Sequence, residues 1–168
     1  MPPAIRRYLV REHVVGSAVF NLLFNALIAW LLFRGLEEVP LWGQQSIAGD
    51  TLATAFILPF LTTLIVTRLA RGHVRGGRVE RLAWTRASHP MLAWLPAAAL
   101  PRAVVLGALG VLVVGVPTAW ALGALQVDTM RFWPFVGFKA VLAAAMAAVV
   151  TPVVAVWALV EPATEPAS

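Results

Sequence analysis

The chain contains no cysteine. Disulfides, thiol catalysis, zinc–thiolate sites and Fe–S clusters are therefore excluded from the sequence alone. Lysine is nearly as scarce: Lys139 is the only one, and the other twelve basic residues are arginines. Charged residues of both signs make up 12% of the 168, about half the share usual in soluble domains. The three histidines, His13, His73 and His89, are far apart and without a carboxylate cluster, which argues against a metal site. GxxxxGK, GxSxG and GxGxxG runs are also missing, so no nucleotide-binding or hydrolase constellation can be assembled. The expectation is a protein that is not an enzyme and carries no metal or cofactor.

What the chain has in quantity is hydrocarbon. Sixty per cent of its residues are apolar and its mean hydropathy is +0.82, which is the composition of a polytopic membrane protein. Four apolar runs are long enough for a hydrocarbon core that needs about 20 helical residues. They fall at Val14 to Phe33, Asp50 to Arg68, Ala103 to Leu125 and Trp133 to Val160. None alternates as a strand would, and lipid tolerates only closed backbone hydrogen bonding. The predicted fold is all-α: one membrane domain, residues 1–168, forming a four-helix transmembrane bundle. The first run exceeds a signal-peptide core and lacks a cleavage site after it, so it reads as a retained span.

Basic residues set the direction. Ten of them fall in the N-terminal tail (Arg6, Arg7, Arg11) and the 69–102 connection with its edges (Arg68, Arg71, Arg75, Arg78, Arg81, Arg86, Arg102). Three, Arg34, Arg131 and Lys139, fall toward the other side. The positive-inside rule then places both termini in the cytoplasm of a bacterial inner membrane. The net charge of +5 is spent beside apolar runs, which points to anionic lipid head groups at the 69–102 loop rather than to nucleic acid. Trp84 and Trp94 in that loop read as interfacial anchors of a surface-lying segment.

The stretch GDTLATAFILPFLTT places Asp50, Thr54, Thr62 and Thr63 on the second span with Pro59 between them. On the first span, Asn21 and Asn25 share a face at spacing four. Counted at about 1.5 Å per residue, Asn21 lies about 18 Å from Phe33 and Thr62 about 18 Å from Asp50. The depths match, and carboxamides in hydrocarbon need partners. Two readings stand open: interhelical glue with asparagine bonded to threonine, or a polar substrate path between spans one and two. Asp50 is expected to cap the second helix. Lys139 has two options of its own, snorkelling to the interface or an ion pair with Asp50.

Small residues recur on the other two spans: Ala103, Gly107, Gly115, Ala119 and Gly123 on the third, interrupted by Val111, and Ala140, Ala144 and Ala148 on the fourth. Such stripes allow close backbone approach, so these spans are expected to pack on each other or on a second copy. Pro117 and Pro152 read as kinks or hinges. The two hairpins also share a tryptophan-bearing loop and a proline-interrupted return helix, a hint of a parallel repeat.

The runs VPLWG, SIAGD and TLATAFILPFLTTLIVT resemble a group of uncharacterised bacterial four-span inner-membrane proteins. The resemblance covers the first hairpin, Asn21 to Arg68, and implies location and architecture only. Function is expected to lie between a small permease using the polar seam, in a homo-oligomer, and a non-transporting assembly or regulatory subunit of another membrane complex. A lipid-directed enzyme acting through Ser88 and His89 is a remote third.

Overall fold

The structure, a computed structural model, describes residues 14–77 and 94–160. Arg6, Arg7, Arg11, His13, Arg78, Arg81, Trp84, Arg86, Ser88 and His89, with most of the expected surface-lying segment, lie outside the described residues. All four apolar runs are helices long and apolar enough to cross a membrane. They are α1 (Gly16–Phe33), α2 (Ile47–Arg75), a third rod made of α3 (Ala99–Gly110) and α4 (Val116–Ala124), and α5 (Phe132–Val160). Two short strands, β1 (Glu38–Pro40) and β2 (Thr129–Arg131), occupy the two loops on the same side of the molecule. The 69–102 connection is shorter than expected, because α2 continues to Arg75 and α3 begins at Ala99.

Asp50 does not cap α2. The helix starts at Ile47, and its N-cap is Ser46, whose backbone is extended and whose hydroxyl accepts from the Gly49 N–H. Asp50 is a turn further in. A hydroxyl at the extended residue outcompetes a carboxylate that already has helical φ and ψ, since only the former can reach the orphan donors of the first turn. Ser46→Ala is expected to cost about 1 kcal/mol, read as a lower midpoint in unfolding of the detergent-solubilised chain; an unchanged midpoint would assign the helix start to packing alone.

Pro117 explains the break between α3 and α4. A proline in a regular helix drives its ring into the carbonyl four residues back. The chain answers with one wide π-helical turn, Val111–Gly115, ending on a bond from the Val116 N–H to Val111 O. The rod is thereby continued through the proline rather than ended by it.

The helices pack in the order α1, α5, α2, α3/α4. An 18-residue apolar stretch of α2 and of α5 is 44% buried, against 17% for α1 and 22% for α3/α4, so α2 and α5 form the middle pair. Neither α1 with α2 nor α3/α4 with α5 makes extended contact. The order is unchanged when the first hairpin is exchanged for the second, as two parallel repeats would arrange themselves.

The expected pairing of the two small-residue stripes is therefore overturned. The third rod packs on α2: a Cβ at Gly107 would meet Phe56 at 2.9 Å, and one at Gly115 would meet Ala55 and Leu52 at 3.1 Å. Gly110 is closer still, its would-be Cβ 2.1 Å from Ala55 O. That carbonyl is the one Pro59 leaves without an amide partner, so the two backbones meet where α2 lacks a bond. Val111 interrupts the stripe only on paper, because Gly110 takes the contact. Ala119 is buried near the strands, whereas Gly123 has only Leu41 at 3.8 Å from its would-be Cβ. Ala140 is buried and Ala144 and Ala148 are half-buried on α5; Ala143, Met146 and Ala147 of α5 meet Ala55 and Leu58 of α2 in the mid-depth core.

At the strand end, β1 and β2 pair antiparallel with Val39 opposite Met130. Leu41 N–H donates to Asp128 O and Phe132 N–H to Glu37 O. Beneath this ladder a core joins Ala29 and Phe33 of α1, Ile47 and Ala48 of α2, Ala119 and Phe135. The Phe33 and Phe135 ring centroids are 4.7 Å apart.

Candidate functional site: a groove between α1 and α2

Because α5 holds α1 and α2 apart, the expected seam between them is a groove with α5 as its floor. Its volume is about 590 Å³. Along α1 its wall runs from Gly16 to Leu32 and along α2 from Asp50 to Leu69, so it follows nearly the whole length of α1. Apolar side chains line most of it, and several of these, among them Phe20 (62% exposed), Ile57 (50%) and Ile65 (54%), stand at its open side.

Six of the seven residues singled out in the sequence line this groove: Asn21, Asn25, Asp50, Thr54, Thr62 and Lys139. Thr63 does not. It is fully buried, and its hydroxyl donates to Pro59 O at 2.7 Å, tying the helix together after the proline.

The asparagines bond differently from expectation. Asn21 Nδ2 donates to Ser17 O at 2.9 Å and Asn25 Nδ2 to Asn21 O at 3.0 Å. Neither bridges to a threonine of α2, because the groove separates the two helices. From α1, a hydrogen bond that does cross helices joins Ser17 Oγ to Thr151 Oγ1 of α5 at 2.7 Å. Both of these residues line the groove, and sequence reasoning missed both. Ser17 carried a signal, being four residues before Asn21 on the same face; Thr151 was hidden beside Pro152.

Near the strand end, Lys139 Nζ donates to Asp50 Oδ1 across α5 and α2. The side chains are 4% and 10% exposed. This settles the two options for Lys139: it does not snorkel, but forms a neutral ion pair set in the groove wall. Its position on the middle helix pair is what brings it within reach of the first turn of α2.

No family model, curated protein or solved structure matches the chain. The site must be read from its own chemistry. Among the described residues no group of three or more histidines and carboxylates could hold a metal ion. What the groove offers is one opposed pair of charges at one end, neutral hydrogen-bonding side chains spaced along its length, and hydrocarbon elsewhere.

A second polar cluster lies at the opposite end of the molecule and was not foreseen. Arg102, counted above with the basic loop, is fully buried. Its Nη1 donates to Pro96 O and Ala97 O at 3.3 and 3.1 Å, and its Nη2 to Thr67 Oγ1 at 3.1 Å. The guanidinium carbon sits 3.3 Å from the centroid of the Trp157 ring, a cation–π contact strengthened by desolvation. Arg102 thus joins α3, α2 and α5, and its charge is engaged inside the fold rather than offered to a membrane surface.

Proposed function

We propose that the protein is a small permease-like inner-membrane protein whose path is the groove between α1 and α2, with both termini in the cytoplasm. The observation that carries this reading is continuity: polar side chains recur from Ser17 and Thr151 at one end, through Asn21, Asn25, Thr62 and Thr54, to the Asp50–Lys139 pair at the other. Polar groups at membrane depth are costly and collect where a substrate passes or helices must be held. Here they line an open groove rather than a closed interface, which favours the first use. The strand end would face outward on the positive-inside count, with exposed Trp42 and Trp133 in the two loops there at the interface.

The alternative, a non-transporting assembly or regulatory subunit, loses one support. The glycines of the third rod expected to receive a partner, Gly107 and Gly115, are occupied by α2 of the same chain.

Vesicles containing the full chain test the transport reading against a panel of labelled solutes and lipids. At least one probe is expected to cross faster than in protein-free vesicles and to slow tenfold or more in Asn25→Leu. If every probe crosses equally in wild type, Asn25→Leu and empty vesicles, the groove is not a path.

A further inference from the structure

The groove is neutral at its charged end, and this restricts what can sit there. Asp50 and Lys139 cancel each other, both nearly buried. A purely anionic occupant would satisfy Lys139 and leave the Asp50 carboxylate beside a like charge in a poorly solvated site; a purely cationic one would do the reverse. Only an occupant bearing both charges can open the pair and replace each half, taking the lysine with its anion and the aspartate with its cation.

The rest of the groove restricts it further. From the ion pair toward Gly16 the wall of α1 covers about 24 Å, at 1.5 Å per residue from Gly16 to Leu32, which exceeds one leaflet of a hydrocarbon core about 30 Å thick. The walls are Phe24, Ile28, Ile57 and Leu61, and the open side is edged by exposed apolar side chains. A free zwitterion would leave most of this surface bare. A chain of methylenes would cover it, and would enter sideways from the bilayer without crossing water.

We propose that the groove binds one zwitterionic glycerophospholipid with a primary ammonium head group, its phosphate on Lys139, its ammonium on Asp50 and an acyl chain along Phe24, Ile28 and Leu61. This names the substrate class of the path proposed above and rests on that reading for its transport aspect only. The primary ammonium is specified because it donates hydrogen bonds to a carboxylate, which a quaternary ammonium cannot do.

The test is lipid retention by the full chain, purified in mild detergent from nanodiscs of equal phosphatidylethanolamine, phosphatidylcholine and phosphatidylglycerol and weighed by native mass spectrometry. The expected result is one phosphatidylethanolamine per protomer, at least fivefold over either other lipid. Asp50→Asn leaves a net positive groove and is expected to turn the preference to phosphatidylglycerol. Ala53→Trp, at an exposed position beside the pair, fills the head-group end without touching either charge and is expected to abolish retention with the folded state preserved. Glycerophosphoethanolamine, the head group without chains, is expected not to displace the lipid. Equal retention of the three lipids by wild type, undiminished retention in Ala53→Trp, or displacement by the chainless head group would each overturn the proposal. Solute flux without selective lipid retention would overturn it while leaving a transport path standing; selective retention without lipid movement would support it while removing the path.

Discussion

Lys139→Met is expected to destabilise the protein by about 3–5 kcal/mol. The cost is the Asp50 carboxylate left nearly buried without its partner, not the loss of attraction between the two. Asp50→Asn should cost a comparable amount, because it strands the ammonium instead. The double variant Asp50→Asn/Lys139→Met removes both charges together and is expected to recover to within about 1 kcal/mol of wild type, since well-packed neutral replacements of buried pairs are often near neutral. The double-mutant cycle in detergent unfolding, followed by tryptophan fluorescence, gives the coupling directly. Glu37→Gln, at an exposed loop position, is the control and is expected within about 0.5 kcal/mol of wild type. Single variants no worse than that control would mean that the pair is solvated and not part of a closed wall.

The second large effect concerns backbone contact. Gly110→Val is expected to cost at least about 3 kcal/mol, at the upper end for overpacked cores. The new Cβ would fall 2.1 Å from Ala55 O and 3.0 Å from Pro59 Cγ, and neither a backbone carbonyl nor a proline ring can swing aside. The third rod would have to back away from α2 along its whole face. Gly123→Ala offers the contrast, since its added methyl would meet only the tip of Leu41 at ordinary contact distance; a change under about 0.5 kcal/mol is expected. Comparable losses from the two substitutions would show that close approach at Gly110 is not what sets the cost, since both replacements improve intrinsic helix propensity.

The four helices were legible because hydrocarbon runs of this length have one physical outcome in lipid. The ends of the helices were less so. Asp50 looked like a cap on chemistry alone, yet capping is decided by backbone conformation, and Ser46 was the extended residue. Asn21 and Thr62, grouped by counting depth, both line the groove. That the helices carrying them would stand apart depended on α5 between them, which no local pattern encodes. The glycine stripe was read rightly as a close-approach surface and assigned to the wrong partner: spacing reports that a face is smooth, and says nothing of what lies on it. Arg102 hid its surroundings for a related reason. Its place beside an apolar run gave no sign of the carbonyls, hydroxyl and indole that tertiary contacts supply.

The uneven fastening of α1 has a mechanical meaning. At the strand end it is clamped, by the Phe33–Phe135 contact, by Gln45 Nε2 donating to Leu32 O, and by a loop that continues into the β-ladder. At the far end the cross-helix hydrogen bond is that of Ser17 with Thr151. Were α1 to swing on α5, its pivot would lie at the ladder and its travel at the Gly16 end. Eighteen residues give it a length of about 27 Å, so a swing of only 10° carries the Gly16 end through about 5 Å, on the order of one helical turn. The groove would then gape like a hinged clasp, widest where the hydroxyl latch parts and nearly unchanged at the ion pair.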